Sequence, residues 1–414
     1  MTLTMPPALP ANEIVQRLYK GRDLRAEGVT LCTRCIFDSS LHGINFDDWG
    51  VCNYCRMIDD LTEEYGTGTP RGAAKLQGIV DQIKRAGKGK KYDVAVGVSG
   101  GTDSSYMLYV AKEYGLRPLA VHYDNTWNTS TATQNIRRVT SKLDIDLYTH
   151  VCNNKESDDI FRSFFYASVP EIDGPTDIAL AEVMYRAASK YGIQYVFEGH
   201  SFVTEGVSPL GRAYIDGGYI ASVHKMFGRM KMDSFPNMTF SRFLYWTIAK
   251  RIQKIRPFWY LDYSKEDARA FLEADCGWEY YGGHHLENRM TAFHHSFYTP
   301  IKFGLDQRNN TLAAKVRNGL MDRDAAIDEY AHAPHIEDEL LAYVLKRFGM
   351  SENEFWSVME QPRKYYTDYP TYKHRFEQYR PLFKLLAARN LVPKSFYLKF
   401  CFPAEAPGKE SEGA

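Results

Sequence analysis

Residues 92–98, YDVAVGV, alternate as a buried strand does, and they run directly into SGGTDSS, residues 99–105. Helical periodicity follows over residues 103–114, Gly115 is placed to end that helix, and PLAVHYD supplies a second strand. The alternation then repeats. TATQNIRRVTSKL reads as a helix, DLYTHV as a strand, TDIALAEVMYRAASKYG as a helix capped by Thr176 and ended by Gly192, and QYVFEGH as another strand. Strands separated by helices of this length predict an α/β fold, a parallel sheet with helices on both faces and ligand sites at the carboxyl ends of its strands.

The Gly-Gly turn between the first strand and its helix suits phosphate. Gly100 and Gly101 reach backbone angles closed to other residues and let an anion approach. The first amides of the helix, with the hydroxyls of Ser99, Ser104 and Ser105, supply donors. A Walker A loop is excluded because the next lysine, Lys112, lies about three helical turns further on. A dinucleotide fingerprint is excluded because the glycines are Gly97, Gly100 and Gly101. A carboxylate in an anion site needs a cation beside it, so Asp103 is the expected Mg²⁺ ligand.

SGGTDSS resembles the SGGxDS signature of the PP-loop ATP pyrophosphatases, whose fold is of the adenine nucleotide alpha-hydrolase type. These enzymes cut ATP between its α and β phosphates and pass AMP to a substrate oxygen. The resemblance implies that Ser99, Gly100, Gly101, Thr102, Asp103, Ser104 and Ser105 hold the phosphates. It also implies that HYDN, with His122, Asp124 and Asn125 at the end of the next strand, reads the adenosine. Gly199, in EGHS, resembles the superfamily's third nucleotide- or substrate-facing position, although an Asn-containing motif is usual there. Glu205, just beyond, is either a substrate contact or a solvated loop carboxylate.

Four cysteines form a second motif. CTRC (Cys32, Cys35) and CNYC (Cys52, Cys55) are two C-x2-C knuckles separated by sixteen residues, the pattern of a zinc ribbon. Disulfides are disfavoured in a reducing compartment, so the competing occupant is an iron–sulfur cluster. A tetrahedral four-cysteine site is closed, which assigns it to structure or docking. The histidine doublets His284–His285 and His294–His295, if helical, stand about 15 Å apart and cannot share an ion. His294 and His295 are therefore expected to be packed or hydrogen-bonded, the alternative being that one of them reaches a substrate.

Lys and Arg total 51 and Asp and Glu total 51, so no global positive field favours a nucleic-acid partner. The chain shows neither a signal-peptide core nor a membrane-length apolar run, from which a soluble, cytoplasmic protein without a membrane partner is expected. The expected organisation is an exposed N-terminal arm with a short helix around EIVQRLYKGRD at 1–28, a zinc-ribbon-like unit with four cysteines at 29–65, and a PP-loop domain at 66–300. A helical region at 301–405 and a disordered tail at 406–414 follow.

Three blocks in order, CTRC to CNYC, the PP-loop domain, and residues 254–330 beginning KIRPFWYLDYSKED, resemble the N-acetyl sugar amidotransferases of lipopolysaccharide and related surface-polysaccharide biosynthesis. That resemblance implies conversion of an acetamido group on a nucleotide-activated sugar to an acetamidino group, with ATP, Mg²⁺ and ammonia. It implies partners too: a separate glutaminase and a cyclase-like channel subunit to supply the ammonia. Neither Cys152, Cys276 nor Cys401 sits in a glutaminase-like elbow. Lys302 and Arg308, in the last block, are the expected cations that stabilise charge building on the phosphates. The alternative is a PP-loop sulfurtransferase acting on tRNA or a small molecule, which wants a reactive cysteine by the loop and a basic face.

Overall fold

The computed structural model describes residues 9–41, 43–207, 213–283, 286–389, 391–392 and 394–403; the expected disordered tail and the His284–His285 doublet lie outside these. The N-terminal segment forms α1 (Ala11–Leu18), followed by the cysteine unit, α2 (Asn53–Tyr65) and α3 (Pro70–Ala86). Then come β1 (Val94–Gly97), α4 (Thr102–Glu113), β2 (Pro118–Asp124), α5 (Ser130–Lys142), β3 (Leu147–Val151), α6 (Asn154–Tyr166), α7 (Gly174–Lys190) and β4 (Tyr195–Phe197). A last strand, β5 (Gln253–Ile255), completes a parallel sheet of order β3-β2-β1-β4-β5.

Strand side chains alternate between two cores, as the period of two requires. Val94, Val96, Ala120 and Phe197 pack with α3, α4, α5 and the helix Lys265–Cys276. Ala95, Leu119, Val121 and Val196 pack on the other face with α6, α7 and the C-terminal helices. The sheet is thus covered on both sides. The chain leaves β1 toward β2 and β3, then returns to the other flank of β1 as β4 and β5. The crevice at this reversal, beyond the carboxyl ends of β1 and β4, is where an open α/β sheet binds ligand.

Several elements depart from expectation. Helix α7 begins at Gly174 with Pro175 in its first turn, so Thr176 is not its cap; the Thr176 hydroxyl instead donates to Asp173 at 2.6 Å. Residues 11–18 are not an exposed arm: Ala11, Ile14 and Val15 are buried, and the Ala11 amide donates to the Asp338 carbonyl at 2.8 Å. Helix α6 is not among the expected elements, because its polar residues are buried against distant partners. Asp158 holds Arg347 at 2.6 Å and the Trp127 indole at 2.8 Å, and Asp159 holds His224 at 3.0 Å.

From Arg308 onward the chain is mainly helical. Among the described residues no helix is long and apolar enough to cross a membrane.

Candidate active site

The SGGTDSS loop leaves β1 and enters α4 at the sheet's reversal point. Gly100 takes φ +86°, and a side chain there would meet the Ala132 carbonyl oxygen at 2.3 Å, so the turn packs directly onto the start of α5. The loop's own hydroxyls brace it. Ser104 Oγ accepts from the Ser99 amide at 3.2 Å and donates to the Gly101 carbonyl at 3.2 Å, while Ser99 Oγ accepts from the Gly101 amide at 3.3 Å. Ser99 is exposed and Asp103 and Ser104 are partly open, whereas Thr102 and Ser105 are buried.

Asp103 lies in the first turn of α4, where the helix dipole favours a carboxylate. One of its oxygens accepts from the Tyr263 hydroxyl, and the other is 2.7 Å from Lys265 Nζ. Lys265 Nζ is also 3.7 Å from Glu205, whose other oxygen is 3.8 Å from His200. Burial works against the Lys265 ammonium, but Asp103 and Glu205 outweigh it and hold its pKa above the ordinary lysine value. Burial, then Asp103, push the Tyr263 hydroxyl upward, so it stays protonated and donates. Tyr263 is held by a stacked Phe258 at 3.8 Å between ring centroids.

Residues 278–281 and Glu287 lie against the loop. The Trp278 indole donates to the Gly100 carbonyl at 2.9 Å, and the Asn135 side chain bonds Glu279 through both its amide and its carbonyl. A Cβ on Gly101 would stand 3.2 Å from the Tyr281 hydroxyl and 3.4 Å from Glu287 Oε1. Both groups therefore face the glycine turn.

The residues expected to read adenosine are largely occupied in holding this edge together. His122 is buried, its Nδ1 2.8 Å from the Val98 carbonyl and its Nε2 3.2 Å from the Asn128 amide. Burial lowers its pKa, leaving a neutral ring. Asn125 Oδ1 accepts from the Trp127 amide at 3.1 Å and from Asn288 Nδ2 at 2.9 Å. Asp124 accepts from the Thr126 amide at 2.8 Å. Gly199 is at the site through close packing: a Cβ there would press within 3.3 Å of the Asp103 carbonyl.

Lys302 and Arg308 are not brought to the loop by any contact among the described residues. Lys302 Nζ donates to the carbonyls of Val358, Met359 and Gln361 at 2.6–3.1 Å, closing the end of the helix Glu352–Glu360. Arg308 forks onto Asp306 and reaches Tyr19 and the His332 carbonyl. The cation beside Asp103 is Lys265. Its sequence signal is a lysine directly after Ser264, the residue that caps the helix Lys265–Cys276, where the dipole disfavours positive charge unless a partner anion is near. His294 Nε2 is 2.7 Å from the Pro170 carbonyl, the hydrogen-bonded state expected of it, and the His295 ring lies tilted beside it, 4.8 Å away between centroids.

The four cysteine sulfurs lie within 4.8 Å of one another and are buried. Cys32–Cys55 and Cys35–Cys52 are each 3.9 Å apart, close to the edge of about 3.8 Å of a tetrahedron with 2.3 Å Zn–S bonds. Backbone amides of Arg34, Phe37, Cys52 and Cys55 and the Arg317 guanidinium donate to these sulfurs at 3.3–3.4 Å, as thiolates require. The donor set fits zinc, which would serve structure at this closed site.

Residues 287–383 match the family model described as LPS biosynthesis protein WbpG-like, C-terminal domain. An uncharacterized protein of Methanocaldococcus jannaschii is 27% identical over 172 residues, 41% of this chain and 58% of that protein, so the matched stretch spans little more than half of that relative. Among solved structures, NMN synthetase from Francisella tularensis overlaps 55% of this chain and 95% of its own at 16% identity and a TM-score of 0.25. An NH3-dependent NAD synthetase from Campylobacter jejuni overlaps 74% and 98% at 12% identity and a TM-score of 0.26. Overlaps this loose carry no inference about activity. The glycine loop at the reversal of a five-stranded parallel sheet and the cluster of four cysteines thus stand in an α/β chain whose C-terminal region, over residues 287–383, is similar to the WbpG-like domain.

Proposed function

We propose that the chain is an ATP-dependent amidotransferase that acts on a nucleotide-activated N-acetyl sugar. One observation carries the reading: the glycine turn, the Asp103–Lys265 pair and the Tyr281–Glu287 edge converge on one crevice at the reversal of the sheet. That crevice offers amides and hydroxyls to phosphate oxygens and a lysine to their charge. The LPS-biosynthesis description of the matched C-terminal domain points the acceptor toward a sugar.

An amide carbonyl is a poor electrophile and its oxygen a poor leaving group. In the proposed reaction the acetamido oxygen attacks the α-phosphorus, the bond to the β-phosphate oxygen breaks, and pyrophosphate stays in the loop. Ammonia adds to the carbon of the resulting imidate, AMP leaves with the original oxygen, and loss of a proton gives the acetamidino group. Ser99, Ser104 and the loop amides hold the departing diphosphate, and Lys265 offsets its growing negative charge. Asp103, a partly exposed carboxylate beside the loop, would be one of the one or two carboxylates that hold a magnesium ion bound with the nucleotide, which would neutralise phosphate charge. Tyr263 and Lys265 orient that carboxylate. Ammonia from a glutaminase partner through a cyclase-like channel subunit belongs to the same proposal.

Sulfur transfer finds no support in the cysteine nearest the sheet edge: burial pushes the Cys152 thiol up, away from the thiolate that chemistry needs. The test is incubation of the full chain with ATP, ammonium and a panel of nucleotide-activated N-acetyl sugars. Release of AMP and pyrophosphate, with a product in which NH replaces O, is expected. Formation of ADP, or turnover indifferent to the sugar, overturns the proposal.

A further inference from the structure

A cavity of about 220 Å³ separates the cysteine unit from the sheet domain. Arg34, Ile58, Asp59 and Thr62 wall it from the cysteine knuckle and α2, and Val203, Leu261, Asp262, Tyr263 and Arg317 wall it from the other side. Tyr263 is shared with the crevice described above. Tyr263 lines the cavity and its hydroxyl donates to Asp103, so the two spaces share this residue.

The walls select a kind of ligand. Arg34 forks onto Asp59 at 2.5 and 3.0 Å, and Arg317 turns its Nε to the Cys55 sulfur at 3.4 Å. With Asp262 the lining holds two guanidinia and two carboxylates, which leaves no net charge to attract a free anion or cation. A neutral molecule rich in hydroxyl and amide groups pairs with both signs, and its C–H faces suit Ile58, Val203 and Leu261. The space is below the roughly 300–1,000 Å³ of sites for larger ligands, too small for a nucleotide and of the order of one sugar ring.

We infer that this cavity is the acceptor pocket, taking the acetamido-sugar end of the substrate while the nucleotide end stays outside its open mouth. The inference rests on the amidotransferase reading above and assigns the cysteine unit a part in it: α2 and the Arg34 knuckle form one wall of the acceptor site. Tyr263 then borders both the acceptor and Asp103 as a positioning residue.

The test uses the full chain, with free N-acetylglucosamine and N-acetylgalactosamine as probes followed by saturation-transfer NMR, and a fluorescent ATP analogue titrated separately. Saturation transfer to the acetyl methyl of at least one sugar is expected for the wild type. Thr62→Trp, and from the opposite wall Val203→Trp, fill the cavity and are expected to weaken sugar binding by about tenfold or more, a change of about 1.4 kcal/mol. Neither residue touches the phosphate loop, so affinity for the ATP analogue stays at the wild-type value. Wild-type sugar binding in variants that fold and bind the analogue overturns the pocket while leaving the amidotransferase reading standing. Loss of saturation transfer to both sugars in the wild type, with the analogue still bound, likewise overturns the pocket. A wild-type chain that fails to bind the ATP analogue overturns the reading beneath it, and the pocket falls with it.

Discussion

Lys265 Nζ stands 2.7 Å from Asp103 Oδ2, while Tyr263, two residues earlier in the chain, donates to the other oxygen of the same carboxylate. The stretch that follows β5 thus grips the first turn of α4 from across the crevice. Asp103 is oriented by residues distant in the chain, and a cation is already placed beside the glycine loop.

Removing that cation tests the mechanism. Lys265→Met is expected to lower kcat by about 10²–10³-fold, the cost of losing one charge-stabilising donor, with Tm little changed. Lys302→Met is expected to do the reverse. Burial pushes the Lys302 pKa down to about 8, and its amine satisfies three carbonyls at a helix end. Its loss should cost about 1–3 kcal/mol of stability and leave the KM for ATP unchanged. Thermal melts and steady-state kinetics on the two variants separate the roles.

The two loop glycines should respond differently to alanine. Gly100→Ala places a Cβ 2.3 Å from the Ala132 carbonyl at a φ of +86°, so it is expected to destabilise the chain by at least about 1–2 kcal/mol and to displace the loop. Gly101→Ala meets nothing nearer than 3.2 Å and should fold, yet bind ATP more weakly because the methyl faces the phosphate side. Comparing Tm and nucleotide affinity for both variants checks this. Equal stability losses would contradict it.

Cys52→Ser should yield metal-poor, insoluble or strongly destabilised protein. The cysteine unit shares its core with Leu312, Ala313, Ile327 and Tyr330 of the helical region, so its collapse would expose apolar surface on both partners. Zinc content by mass spectrometry, with a thermal melt, decides. A metal-free variant with wild-type Tm would remove the structural role.

Glu171 provides a pH signature. Burial pushes its carboxyl up to about 7, and it accepts from the Tyr214 amide and the Tyr219 hydroxyl at 3.3 Å each. Its folded pKa lies above the unfolded one, so the folded state holds the extra proton between them. This contribution is complete below about pH 4.5 and is lost as pH rises through 7, by at most about 3 kcal/mol. Glu171→Gln should flatten the fall in Tm between pH 5 and 8 relative to wild type. An unchanged slope would show that Glu171 does not titrate there.

Contiguity explains what can be read in advance. SGGTDSS, the strand before it and the helix after it form one local run, whose backbone geometry depends on residues next to one another. The two cysteine knuckles are local in the same sense, and their spacing alone brings four thiols to one centre. Strand β5 is not legible, because Gln253–Ile255 carries no apolar alternation and pairs only since β4 offers it an edge, with Lys254 reaching Glu198 at 2.6 Å. Helix α6 is hidden by charges that read as solvent-facing until Arg347 and His224 arrive to pair them.

Local chain chemistry is enough to specify the strand-turn-helix that can take phosphate and the tetrathiolate that can take zinc. Which cation stands beside the loop is decided by folding alone. Lys265, Lys302 and Arg308 are alike as charged side chains, and only packing brings the first to Asp103, the second to the carbonyls of Val358 and Met359, and the third to Asp306. Long-range partners are chosen by how the two cores close, and no local pattern encodes the distance between residues 103 and 265.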